Sequence, residues 1–263
     1  MHVPPPAIRA IVLDIEGTTT PMRFVYDVLF PFARRHLRDY LRDHWNDDAV
    51  QESVARLRAE WQQDLTAGAA PPPWPDEGDD LARLAEERSD DRRERKSEGV
   101  AAYAEWLMDR DRKSPGLKRL QGLIWEGGYR SGALAGELFP DVRPAIERWH
   151  TRGIQVAVYS SGSVLAQRLL FAHTPQGDLT PLFARFFDTD VGPKSSPDSY
   201  RRIASLLGCA PGRLLFVSDS VQELAAAREA GCDVRLCARP GNPAPPESAA
   251  FELIYGLDEI AIG

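Results

Sequence analysis

The chain has 263 residues, 43% of them apolar and 27% charged, with a formal net charge of -7. That length allows a sizeable core in one large domain or two smaller ones, and the composition excludes a disordered chain or one built from membrane spans. The acidic sign disfavours non-specific nucleic-acid binding, which needs a basic surface, and admits a small anionic substrate only where local cations offset the field.

The first residues, "MHVPPPAIRA", lack the basic start and long apolar stretch of a signal peptide, so secretion is not expected. "AIRAIVLDI" then reads as a buried strand that ends on Asp14. Glu16 follows two residues later, then glycine and three threonines. Such residues are common turn formers, so a plain strand exit accounts for them locally.

Residues 22–131 read as helices without strands. "FVYDVLFPFARRHLRDYLRDHW", "SVARLRAEWQQDL" and "VAAYAEWLMDRDR" each place apolar residues three and four apart. "AGAAPPPWPDEGDD" is a Pro/Gly loop, and the charge run "EERSDDRRERKSE" near 86–98 is either a solvated helix face or a mobile loop. The stretch looks like a helical insertion.

From residue 132 onward, strand and helix alternate. "IQVAVYSS", "RLLFVSDS" and "CDVRLCARP" are Val/Ile/Leu-rich runs without clean alternation, the pattern of parallel strands covered on both faces. The helical patterns "DVRPAIERWHTRG", "SVLAQRLLFAH", "SPDSYRRIASLLG" and "SVQELAAAREAG" lie between and around them. Pro197 suits a first helical turn, and Gly208 and Gly231 suit C-terminal caps. After the turn-rich "RPGNPAPPES", "FELIYGLDEI" could supply a last strand. The expected fold is α/β, a doubly wound and mainly parallel sheet. Cys209, Cys232 and Cys237 form neither an even disulfide framework nor CxxC metal spacing, which fits small core residues in a reducing cytoplasm.

Ligands of such sheets gather at the carboxyl ends of the strands. The first exit carries Asp14 and Glu16, the second Ser160 and Ser161, and the "FVSDS" exit Ser218, Asp219 and, one helical turn on, Glu223; "DTDVGPKSSP" adds Lys194 just before a helix. Converging carboxylates favour a hard cation such as Mg²⁺, while serine hydroxyls, helix-start N–H groups and a lysine suit phosphate. Asp14 could attack phosphorus and Glu16 could handle a proton. Each residue alone reads more simply as a turn, a cap or a solvated lysine. The joint occurrence is the signal.

"DIEGTTTP", "VYSSGSVLAQRLLF", "KSSPDSYRRIA" and "FVSDSVQELAAAREAG" resemble the four ordered motifs of the haloacid dehalogenase superfamily. Glu at the second acid position, "RFVYDVLFPFAR", "DRKSPGLKRLQGLIWEGGY" and "ELFPDV" are similar, more narrowly, to the acireductone synthase (enolase-phosphatase) family of methionine salvage. The resemblance implies a haloacid dehalogenase-like catalytic core from residues 1–21 and 132–263, with a helical cap domain from 22–131. It implies a Mg²⁺-dependent enzyme that converts 2,3-diketo-5-methylthiopentyl-1-phosphate to acireductone by enolisation and then dephosphorylation through an aspartyl-phosphate. Asp14 is then the nucleophile and a metal ligand. Glu16 is the acid/base and a ligand through its backbone carbonyl, and Asp219 is the third ligand. Ser160, Ser161 and Lys194 bind the phosphate, and Glu223 supports the metal. Trp125 and Tyr129 are either cap core, the favoured reading, or substrate wall. The implied setting is a cytoplasmic monomer acting on a small phosphorylated substrate, with no nucleic-acid or membrane partner. The alternatives are a related phosphatase for another phosphate ester, a metal-free dehalogenase, which the extra acids oppose, and a non-catalytic binding protein of the same fold.

Overall fold

Four consecutive apolar residues, Ala10–Leu13, form β1, and none of them retains any exposed surface. A strand covered on both faces belongs at the centre of a sheet. The computed structural model describes residues 7–75, 88–243 and 251–262. After β1 and a π-helical turn (Phe24–Leu29), the elements in order are α1 (Phe30–Asp43), α2 (Asp48–Thr66), α3 (Ser89–Met108), α4 (Pro115–Arg130), α5 (Val142–Thr151) and β2 (Gln155–Tyr159). They continue as α6 (Val164–Ala172), β3 (Arg185–Phe187), α7 (Pro197–Leu206), β4 (Leu214–Ser218), α8 (Val221–Glu229), β5 (Asp233–Cys237) and β6 (Leu253–Ile254).

The sheet runs β3-β2-β1-β4-β5-β6 and every pair is parallel. The chain builds outward from β1 on one side through β2 and β3, then returns to the other side for β4. The C-terminal end of β1 is therefore the point where the succession reverses, the usual crevice for a ligand. Register carries the exits there together: Leu13 lies opposite Val158 and Val217, and the Asp14 N–H extends the ladder to the Val217 carbonyl at 3.0 Å. Val12, Tyr159 and Phe216 pack with Tyr200 and Ile203 of α7 and Leu224 of α8. Each such fully buried side chain contributes roughly 2 kcal/mol.

β6 forms within the expected last strand, and α7 and α8 end just ahead of Gly208 and Gly231. Two details depart from the sequence pattern. β3 is absent from it, because three residues on a sheet edge carry no readable period. In β5 the partly exposed Asp233 and Arg235 alternate with buried Val234 and Leu236, so that strand is covered on one face more than the other. Residues 244–248 of the turn-rich loop lie outside the described residues. The three cysteines are free, and burial pushes the Cys232 and Cys237 thiols up to about 12, far from reactive thiolates.

The chain divides into two compact units, Met1–Val28 with Gly132–Gly263, and Leu29–Ser131. The second unit is helical among its described residues. The stripe Ala33, Leu37 and Leu41 of α1 is fully buried, and α1 packs against α3 and α4, and α2 against α4. The π-turn falls just ahead of Pro31, which has no N–H to carry an α-helical ladder across the junction. Trp125 and Tyr129 are buried, and the indole Nε1 donates to the Leu29 carbonyl at 2.8 Å, so Trp125 is core. The charge run opens α3 from Ser89 as a solvated face, where Arg38 reaches across to Glu98 and Glu105. Glu86, Glu87 and residues 76–80 of the Pro/Gly loop lie outside the described residues. No helix of the described residues is long and apolar enough to cross a membrane.

Candidate active site

Asp14 stands one residue beyond β1 and is 3% exposed. Its Oδ1 accepts from the Ile15 N–H at 2.8 Å and from Lys194 Nζ at 2.6 Å. The same ammonium lies 2.6 Å from Glu223 Oε2, so one cation bridges the exit of β1 and the first turn of α8. Lys194 is held by its own segment: the Tyr200 hydroxyl donates to its carbonyl at 2.7 Å, and the Tyr159 hydroxyl donates to the Gly192 carbonyl at 2.8 Å. Ser218 Oγ sits 3.2 Å from Asp14 Oδ2 and 3.0 Å from Glu223 Oε2. With a single hydrogen it can donate to only one carboxylate at a time.

Ser160 is fully buried at the β2 exit, 3.4 Å from Glu16 Oε2, and accepts the Gly162 N–H at 3.0 Å. Ser161 is exposed. Asp219 lies against Gly17, whose φ is +78°: a Cβ there would fall 2.1 Å from Asp219 Oδ2. Only glycine satisfies both the left-handed backbone and the close approach. Gly17→Ala is expected to cost about 1–3 kcal/mol, seen as a lower melting temperature, and an unchanged melt would contradict the tight approach.

The charges act on one another at close range. Burial lowers the Lys194 ammonium, but Asp14 and Glu223 outweigh it and raise the group, which stays charged. Burial first, and the charge of Asp14 second, raise Glu16 and push Asp219 and Glu223 up to about 7. These acids therefore bind protons more tightly folded than unfolded. The sign follows: their contribution is most favourable below the ordinary carboxylate range and is lost as pH rises toward about 7. Metal-free protein is expected to melt lower at about pH 8 than at about pH 5.5. The double variant Asp219→Asn, Glu223→Gln should flatten that fall; an equal fall in the variant assigns it to other groups.

A hard cation fits this donor set. Asp14, Glu16, Asp219 and Glu223 offer oxygen only, and Lys194 is the cation that bridges two of them. Among the described residues no three acid, His or Cys side chains stand close enough to cage an ion by side chains alone. A backbone oxygen is available instead. The carbonyls of Ile15, Gly17, Thr18, Thr19 and Thr20 all accept protein N–H groups, and that of Asp14 accepts the Thr19 hydroxyl. The Glu16 carbonyl alone in this run has no donor among the described residues.

The profile of the haloacid dehalogenase-like hydrolases matches residues 8–231. The enolase-phosphatase E1 of Synechococcus elongatus is 46% identical over 256 residues, covering 97% of this chain and 99% of that protein. That of Xenopus tropicalis is 42% identical over 240 residues, covering 91% and 88%. The chain belongs to the enolase-phosphatase E1 family of haloacid dehalogenase-like hydrolases. Among solved structures, the UTR4 protein of Saccharomyces cerevisiae aligns with TM-score 0.72 and 27% identity, covering 96% of this chain and all of that one.

Within this family frame, the structure brings Asp14, Glu16, Ser160, Lys194, Asp219 and Glu223 to one end of the sheet. Residue-by-residue reading assigned no role to Ser218, although it stands next to Asp219, nor to Tyr159 and Tyr200, whose hydroxyls fix the Lys194 segment. Ser218 is named at its strand exit in the sequence, but its place beside Asp14 follows from the β1–β4 register that the fold supplies. The tyrosines give no such signal, since aromatic residues in strands and helices read as core.

Proposed function

We propose that the chain is a Mg²⁺-dependent enolase-phosphatase that takes 2,3-diketo-5-methylthiopentyl-1-phosphate to acireductone and phosphate. The observation that carries the reading is the Asp14 carboxylate, fixed by Lys194 at 2.6 Å, with Glu16 two residues on. The resemblance of the sequence motifs implies the substrate, and the relatives' name joins the two activities.

In the phosphatase step Asp14 attacks phosphorus, and the bond from phosphorus to the substrate oxygen breaks. Glu16 gives that leaving oxygen a proton. Its carboxyl, raised by burial and by Asp14, suits a donor near neutral pH. Glu16 then takes a proton from the water that attacks the aspartyl-phosphate, which frees phosphate and restores Asp14. Lys194, Ser160 and the exposed Ser161 hold the phosphoryl oxygens. Asp14, Asp219 and the Glu16 carbonyl would hold Mg²⁺, with Glu223 in support; the ion supplies charge neutralisation for the phosphate and an electrophile for the enolate. The helical unit serves as a cap that excludes water and reads the substrate body. The implied setting is a cytoplasmic monomer.

Turnover of the diketo phosphate with Mg²⁺, following enol absorbance and phosphate release together, tests the reading. Phosphate release from other esters in a metabolite panel, with none from this substrate, would point to the related phosphatase instead.

A further inference from the structure

We propose that Arg239 and Asn242, from the loop after β5, form a clamp that positions Glu16 by gripping the turn on its C-terminal side. The inference rests on the role given to Glu16 above and adds two positioning residues to it.

The turn 16–20 is a weak place to mount a functional group. Its first bend is made by Gly17, whose backbone is free to rotate, and a small rotation there re-aims both the Glu16 carbonyl and the side chain beside it. Its internal bonds close the turn on itself: the N–H groups of Thr18, Thr19 and Thr20 all reach the Ile15 carbonyl, and that of Gly17 reaches Thr20. They do not tie it to the rest of the sheet. Among the described residues, three outside donors reach its backbone carbonyls. Asn242 Nδ2 donates to the Gly17 carbonyl at 3.1 Å, Arg239 Nε to the Thr18 carbonyl at 2.8 Å, and the Phe139 N–H to the Thr19 carbonyl at 3.0 Å.

The clamp is itself anchored. Arg239 is 5% exposed, and such a buried guanidinium must be paired. Its Nη1 meets Asp141 Oδ2 at 2.7 Å, and its Cζ lies 4.5 Å from the Phe139 ring centre. Asp141 also accepts the Leu257 N–H at 2.6 Å. The planar fork thus fixes the Thr18 carbonyl relative to the loop ahead of α5, a span that a lysine cannot reproduce. Asn242 grips both ends of its segment, since its Oδ1 accepts the Met22 N–H at 3.4 Å while its Nδ2 holds Gly17. Among the described residues, each carbonyl from Asp14 to Thr20 except that of Glu16 is occupied by these and the internal bonds.

The test uses the full chain with Asn242→Ala and Arg239→Lys. Calorimetric titration with Mg²⁺ is the readout that does not depend on turnover. Asn242 is only partly buried and uncharged, so Asn242→Ala is expected to melt close to wild type, yet to bind Mg²⁺ about tenfold more weakly, the size usual for groups that orient a ligand. At saturating Mg²⁺, kcat is expected to fall about tenfold while KM for the phosphate ester holds, because phosphate contacts are untouched. Arg239→Lys keeps a charge opposite Asp141 and should lose Mg²⁺ affinity in the same direction. Folded variants with wild-type Mg²⁺ affinity and kcat would overturn the clamp, as would losses that merely track the unfolded fraction. Wild-type protein that binds no Mg²⁺ would overturn the metal-site reading as well, so the two failures are distinguishable.

Discussion

Asp14→Asn is expected to stop phosphate release, by on the order of 10⁴-fold, in a protein that is as stable as wild type or more so. The amide keeps the size of the side chain, and its oxygen can still accept from Lys194 and the Ile15 N–H, which meet Asp14 Oδ1 at 2.6 and 2.8 Å. Its nitrogen can donate to Ser218 Oγ where the carboxylate accepted. What disappears is the proposed nucleophile and one negative charge. Asp14 raises the carboxyls of Glu16, Asp219 and Glu223, so removing its charge relieves repulsion that the native site tolerates for activity. A higher melting temperature at about pH 8, together with absent phosphate release, is the expected pair of results. Near-normal release from a pure preparation excludes Asp14 as nucleophile.

The same variant separates the two halves of the reaction. In the proposed mechanism Asp14 acts as nucleophile only in dephosphorylation, so the variant is expected to let a phosphorylated enol accumulate, provided titration shows that it still binds Mg²⁺. Chelation of wild-type protein is expected to stop both steps. A normal rise of enol absorbance in chelated enzyme would place enolisation on groups outside this cluster.

The central parallel strands were legible because burial on both faces leaves a continuous apolar run, as in Ala10–Leu13 and Leu214–Ser218. The candidate site residues were legible only jointly: Asp14, Glu16, Ser160 and Asp219 fall in order at the ends of such runs, where each alone reads as an ordinary strand exit. β3 was not legible, because an edge strand of three residues imposes no pattern. The same limit hid Arg239 and Asn242. They act through backbone carbonyls, over 200 residues away in the chain, and any backbone offers those carbonyls whatever its sequence. Lys194 shows the intermediate case. Its sequence placed it in a loop before a helix, where a solvated lysine is the ordinary reading, and only the fold reveals that its side chain is 10% exposed between two carboxylates.

That burial changes what Lys194→Met should do. A loop lysine that contributes charge alone could be removed with little effect on folding, whereas this one neutralises Asp14 and Glu223 in a site largely closed to water. Removing one partner of a buried pair leaves uncompensated charge and costs about 3–5 kcal/mol. Met fills the space of the stem but returns none of the charge. The loss is expected to depend on pH, and the sign can be worked out. Lys194 is raised above its ordinary value, so the stability it supplies is complete throughout the neutral range and is lost only at strongly alkaline pH. The dependence in the variant therefore comes from the acids. Without the ammonium, Glu223 beside the Asp14 charge takes up a proton more readily, which relieves the repulsion at low pH and not at high pH. The melting-temperature gap between variant and wild type is expected to be large at about pH 8 and to narrow toward about pH 5.5. Phosphate release is expected to fall by about 10³-fold across that range, because a proton on Glu223 offsets the lost positive charge without restoring a cation for the phosphoryl oxygens. A gap that is constant with pH, alongside normal turnover by the folded fraction, would make Lys194 a packing residue and leave the phosphate to other groups.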